Sequence, residues 1–144
     1  MTTPIHPLPH QSDRIFLTDG GLETGLIFLE GIELCDFAAF ELLTIAAGRE
    51  KLKGYFRRYA DIARDAGTGF IFESATWRAS QDWGDRLGYS PEELDRINRD
   101  AITLMREVAA EYETGLGPVF SGCVGPRGDG CNAAFEMTAE AAEA

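Results

Sequence analysis

The chain has 144 residues and a formal net charge of −11, from 13 Lys+Arg against 24 Asp+Glu. Hydrophobic residues make up 44% and charged residues 26%, the balance of an ordinary globular domain. Nine Phe, four Tyr and two Trp exclude a disordered acidic tail, and an acidic chain without Lys/Arg clusters is not built to neutralise nucleic-acid phosphates. No apolar run reaches the roughly 18 residues of a bilayer span, so no membrane partner is expected. The first residues, Met1-Thr2-Thr3-Pro4-Ile5-His6-Pro7, lack the basic start and apolar stretch of a signal peptide. The expected compartment is therefore the cytoplasm. Cys35, Cys123 and Cys131 are too few and too scattered for a disulfide framework, which fits a reducing environment. By length alone, one domain with its own core is allowed.

Residues 1–13 carry three of the six prolines and both histidines, and read as an extended arm. His6 and His10 have a helical metal-ligand spacing, but Pro7 and Pro9 forbid that helix. Residues 14–18 form a short apolar run stopped by Asp19-Gly20-Gly21, a strand and a turn. A long loop is expected next, with a helical stretch over 37–45. The spacing predicts an amphipathic helix over 49–66, burying Leu52, Tyr55, Phe56, Tyr59, Ile62, Ala63 and Ala66 and stopped by Gly67 and Gly69. Residues 70–72 are the second strand, ending at Glu73. Ser90-Pro91-Glu92-Glu93 is a strong helix start, with a cap, a proline at the first helical position and a capping box. Its buried stripe is Leu94, Ile97, Ala101, Leu104, Val108 and Tyr112, and Gly115 marks its end. Residues 118–121 are the third strand, a glycine-rich loop follows, and 138–144 open another helix.

The resulting order is β-α-β-α-β with long crossovers, which implies a parallel sheet with right-handed connections. Loops at the carboxyl ends of such strands carry function, which directs attention to Asp19, Glu73 and Cys123.

Three constellations sit there. Asp19-Gly20-Gly21-Leu22-Glu23-Thr24 places a carboxylate beside exposed backbone N–H groups, able to hold the ammonium of an amino acid and a polar or anionic atom. The competing reading is a tight turn in which Asp19 caps its own backbone. Glu73-Ser74-Ala75-Thr76-Trp77-Arg78-Ala79-Ser80 puts a carboxylate, hydroxyls and an aromatic at the next strand end, suited to a small polar ligand. Its competing reading is a loop whose hydroxyls satisfy local backbone groups. An inward-facing Glu73 is costly unless paired or ligand-bound, which favours function. Gly122-Cys123-Val124-Gly125-Pro126-Arg127-Gly128-Asp129-Gly130 matches neither phosphate-binding glycine motif. Arg127 could pair with a carboxylate, but a flexible loop with a solvated Arg127 is the expected outcome. Cys123 and Cys131 lack zinc spacing, and Cys123 has no histidine base nearby in sequence, so an inert thiol is expected.

Taken together, the blocks 17–24, 72–80 and 121–130 resemble the homocysteine S-methyltransferase family over residues from about 14 to the end, in the order of its first three β/α units. The resemblance implies an α/β fold, the first three units of a (β/α)8 TIM-type barrel, with 1–13 as an arm and 14–144 as the start of the homocysteine-binding domain. It implies methyl transfer from a donor such as S-methylmethionine, betaine or methyltetrahydrofolate to homocysteine sulfur, forming methionine. It also implies zinc held by three cysteine thiolates, which would keep the homocysteine thiol deprotonated. Asp19 and Gly20 match the position holding the amino-acid part of homocysteine, with Gly21 and Glu23 in the same block. Glu73 and Ser74 match the block lining the same pocket. The family's zinc ligands lie on later strands, so Cys35, Cys123 and Cys131 do not match them, and no metal residue is assigned.

The expectation is thus an N-terminal portion of a homocysteine S-methyltransferase, inactive alone. A rival is a non-catalytic half-barrel that binds an amino acid or assembles with another chain. A third reading, a doubly wound phosphate-binding enzyme, requires a helix directly after a short glycine turn, whereas more than twenty residues are expected between Gly21 and the clear helix. Units of roughly 50 residues make a closed eight-stranded barrel much longer than this chain, so 144 residues read as less than half a domain.

Overall fold

The computed structural model describes residues 8–112, 117–130 and 138–140. Three strands, β1 (Phe16–Thr18), β2 (Gly69–Glu73) and β3 (Val119–Ser121), pair in parallel in the order β1-β2-β3. Leu17 pairs with Phe70, and Phe72 with Phe120. The period of two puts these four on one face of the sheet. On the other face lie Phe16, Thr18, Gly69, Ile71, Glu73 and Ser121. A side chain at Gly69 would collide with the Phe16 ring, which lies across it.

The chain order does not reverse across the described strands. A doubly wound sheet binds its ligand where the strand order reverses, so these strands do not support the third reading.

The first face is covered by two long helices, α2 (Ala46–Asp65) and α4 (Pro91–Ala109), which also pack on each other. Phe40, Leu52, Tyr55, Phe56, Phe70, Phe72, Leu104, Met105 and Val108 are the large side chains buried in this layer. Phe72 is its centre. Its ring lies 4.6 Å from Phe70, 5.9 Å from Phe56 on α2 and 5.8 Å from Phe120 on β3. Burial of such rings is the main favourable term holding helices to sheet.

The start of α4 is as the sequence predicts. The Ser90 hydroxyl accepts from the Glu93 N–H at 3.3 Å, and the Glu93 carboxylate accepts from the Ser90 N–H at 2.8 Å. The helix ends at Ala109. Tyr112 lies beyond it, half-buried, its hydroxyl donating between the Asp61 carboxylate and the Arg57 carbonyl. Gly115 lies outside the described residues. Helix α2 begins three residues earlier than predicted. Two members of its expected stripe are corrected: Ile62 is 54% exposed on the flank of the face, and Ala66 is exposed beyond the helix end.

Three more expectations change. In place of a long loop after Gly21, helical turns begin at once, as α1 (Leu22–Thr24) continuing in a π-helical turn (Gly25–Leu29), so the expected loop no longer counts against the doubly wound reading and only the strand order does. Leu22 and Leu26, one turn apart, are buried and hold this segment to the core, a tertiary gain too short to show as periodicity. Within the expected helical stretch, residues Ala39–Thr44 form 3-10 turns instead of an α-helix, burying Phe40, Leu42 and Leu43. A further helix, α3 (Gln81–Leu87), was not expected. It is about two turns long and buries Trp83, too little for an amphipathic signature.

Of the N-terminal arm, Pro9–Gln11 form a single 3-10 turn and His10 is exposed, while His6 and Pro7 lie outside the described residues. Of the expected last helix, only 138–140 are described. No helix among the described residues is long and apolar enough to cross a membrane.

Candidate functional site

The loops leaving β1, β2 and β3 meet at one end of the sheet around a cavity of about 280 Å³. Asp19, Gly20, Gly21, Glu23, Glu73 and Ser74, the residues singled out from sequence, all line it. Leu22, Ala75, Trp77 and Cys123 complete most of the wall. The sheet thereby joins residues far apart in the chain, because parallel strands place all their carboxyl ends on one side.

Three carboxylates share this space, and no Lys, Arg or His is among its described lining residues. Burial pushes the Asp19 carboxyl up to about 6; a hydrogen bond from Tyr55 opposes the shift and the charge of Glu73 adds to it. Glu23 is also raised, first by burial; its own backbone N–H opposes this, Asp19 and Glu73 reinforce it, and Arg78 works against it. Desolvated carboxylates held near one another favour a bound cation, which restores the interactions that water supplied.

Helix α2 reaches the site through Tyr55. Its hydroxyl donates to the Gly20 carbonyl at 3.2 Å and lies against the Asp19 carboxyl. Burial, with the negative charge of Asp19, raises the Tyr55 phenol so that it stays protonated as a donor. Gly20 is a position of close approach: a Cβ there would sit 2.9 Å from the Tyr59 hydroxyl oxygen. The sequence placed Tyr55 in a buried helical stripe. The signal that could have marked it is its hydroxyl, because a buried tyrosine needs a polar partner.

Ser74 and Thr76 are both buried and join the loop after β2 to the loop after β3. The Cys123 N–H donates to Ser74 Oγ at 2.9 Å, and Thr76 Oγ1 donates to the Cys123 carbonyl at 2.8 Å. The two hydroxyl oxygens lie 2.6 Å apart. Ser74 thus lines the cavity with its hydroxyl already engaged, by the distant Cys123 N–H and by Thr76 rather than by a local backbone group.

Behind Trp77 lies Arg78, buried between the Trp77 ring (4.5 Å) and the Trp83 ring (3.7 Å). Its Nη2 is 3.5 Å from Asp129, while Nε and Nη1 have no hydrogen-bond partner among the described residues. The indole faces compensate part of the cost of burying this cation. The glycine-rich loop is docked on α3. Arg127 pairs with Asp82 at 3.2 Å, the Gly128 N–H donates to Asp82 at 3.0 Å, and Trp83 Nε1 donates to the Gly128 carbonyl at 2.9 Å. The expected solvated Arg127 is therefore corrected; α3, unseen in the sequence, supplies its partner.

Against known proteins, the family model for homocysteine S-methyltransferase matches residues 16–144. The chain belongs to the homocysteine S-methyltransferase family. The match spans all three strands and every loop of the cavity. No curated protein and no solved structure matches significantly.

Family membership raises the question of zinc, and the described residues do not fit it. No group of three His, Cys, Asp or Glu among them is placed to hold a metal ion. Cys35 is exposed, outside the cavity lining. Cys123 does line the cavity, but burial and a hydrogen bond to Glu73 push its thiol up to about 12, the opposite of what a thiolate ligand requires. The thiol stays protonated at neutral pH. Cys131 lies outside the described residues.

Proposed function

We propose that the cavity binds the amino-acid part of homocysteine, and that the chain supplies the first three β/α units of a (β/α)8 barrel methyltransferase acting in the cytoplasm. The observation that carries this reading is the convergence of Asp19, Glu23 and Glu73 with two exposed glycines in one cavity of a family member. In this reading the ammonium of homocysteine lies among the three carboxylates. Its carboxylate meets backbone N–H groups at Gly20 and Gly21. Tyr55 holds the Gly20 peptide in place, and Ser74 Oγ keeps one lone pair to accept from the ammonium.

The reaction forms a bond between the homocysteine sulfur and the methyl carbon while the methyl–donor bond breaks, and the thiol proton leaves. The described residues supply neither a zinc site nor an assigned donor pocket, so neither is given a step here. This 144-residue polypeptide is expected to bind the amino acid without turnover. That absence of a metal-holding group among the described residues also supports a second reading, a non-catalytic amino-acid-binding or assembly module.

Titration calorimetry with L-homocysteine and L-methionine tests the proposal. Affinity should rise with pH through about 6, because Asp19 must be ionised to hold an ammonium. No binding of either amino acid overturns the reading. Zinc-dependent methylation of homocysteine by this polypeptide overturns the expectation of inactivity, and binding that zinc leaves unchanged favours the module.

A further inference from the structure

The parallel ladder between β2 and β3 ends where Glu73 pairs with Ser121, with one more bond from the Ser74 N–H to the Ser121 carbonyl at 3.0 Å. Beyond it the two loops would separate. Instead, both backbone groups of Cys123 are held by side chains from the other loop. Donor arithmetic orders the contacts. The Thr76 hydroxyl proton goes to the Cys123 carbonyl, so the short contact between the hydroxyls is a donation from Ser74 to Thr76. Ser74 in turn accepts the Cys123 N–H. The result is a closed ring: Cys123 N–H to Ser74, Ser74 to Thr76, Thr76 to the Cys123 carbonyl. Each hydroxyl donates once and accepts once. Both serine and threonine are nearly solvent-free, so neither water nor a local turn supplies a substitute.

We propose that Ser74 and Thr76 are positioning residues for the cavity: their ring continues the strand pairing past the sheet and holds Cys123 against Glu73 opposite the Asp19 loop. Thr76 does not line the cavity, so it acts through Cys123 and Glu73 alone. The ring also gives the Ser-x-Thr spacing a reason: the chain bends at Ala75, the Thr76 N–H closing a three-residue turn on the Ser74 carbonyl at 2.8 Å, and the two flanking hydroxyls reach one peptide unit of the neighbouring loop. The homocysteine reading is needed only for the binding arm of the test below.

The test uses the full chain carrying Cys35→Ser and Cys131→Ser, which leaves Cys123 as its one thiol. Thr76→Val removes the hydroxyl at nearly constant volume, and Thr76→Ser keeps it. Burial raises the thiol first, and Glu73, Glu23 and Asp19, which share its cavity, add to that. Breaking the ring should release it from Glu73 and speed iodoacetamide alkylation at about pH 8 by about tenfold or more, with a lower midpoint in the pH–rate profile. Thr76→Ser should stay within about threefold of the parent. Homocysteine affinity should fall about tenfold in Thr76→Val and be kept in Thr76→Ser.

Equal alkylation rates and pH midpoints in all three proteins overturn the proposal. A ring confirmed by alkylation in a chain that binds no homocysteine refutes the substrate reading and leaves the positioning role standing. If Thr76→Val does not fold, hydrogen exchange in the parent decides. A Cys123 N–H protected like those of β2 supports the ring, and exchange at the open-chain rate overturns it.

Discussion

The helix-covered face of the β2 strand and its carboxyl-terminal residue make opposite use of burial. Toward the helices, Phe70 and Phe72 vanish into an apolar layer in which ring meets ring and no charge is enclosed. At the very next residue, Glu73 shares a cavity with Asp19 and Glu23, and burial there works against the ionised forms of Asp19 and Glu23. The first region adds to stability, whereas the second costs stability and holds a site ready for a ligand. Polar pockets of this kind are where proteins give up stability for function.

The largest effect should come from the helix side. Phe72→Ala removes the ring at the centre of the layer and should cost about 3–5 kcal/mol, enough to unfold a marginal chain; urea denaturation measures it. At the cavity the sign should reverse. The folded state raises Asp19, so its carboxyl binds a proton more tightly folded than unfolded, and stability falls as pH rises from 3.8 to about 6. Asp19→Asn should therefore raise Tm by about 2–5 °C above pH 7, with the gain vanishing below pH 4, while abolishing amino-acid binding. Scanning calorimetry at several pH values checks the sign, and an unchanged or lower Tm at neutral pH would contradict it.

Smaller changes separate the regions further. Tyr55→Phe keeps the ring in the helix layer but deletes the donor to Gly20. Stability should change by about 1 kcal/mol, with a clearer loss in homocysteine affinity by titration. Ser90→Ala removes the α4 cap and should cost about 1 kcal/mol without touching binding, as chemical denaturation would show. Least of all, Lys53→Ala breaks the α2–α4 ion pair with Glu107 at 2.9 Å. The exposed Glu107, the second Lys53 partner Glu50 and salt screening hold its cost to about 0–1 kcal/mol, readable as a small Tm shift that high salt erases.

Legibility in the sequence followed how local each cause is. The start of α4 was readable because its cap, proline and reciprocal Glu93 contact lie within four residues. The three strands were readable from short apolar runs stopped by turns, and their loops from the chemistry gathered at each stop. The helical turns at Leu22–Leu29 and helix α3 were not, because each is shaped by one or two side chains docking on a distant core. Arg127 read as solvated because its partner Asp82 belongs to that unseen helix.

The sequence by itself determined the family blocks, the alternation of strands and helices, and the six residues around the cavity, since residue type and short-range pattern encode these. Only the tertiary structure decided that half-buried Asp19 and Glu23 share one cavity with the more exposed Glu73, that Tyr55 reaches it from a helix, and that Ser74 and Thr76 close a ring on Cys123. Those facts depend on which groups lose water together and on which donor meets which acceptor. Parallel pairing brings such groups into contact across some fifty residues of chain, a distance over which a linear pattern carries no record of contact.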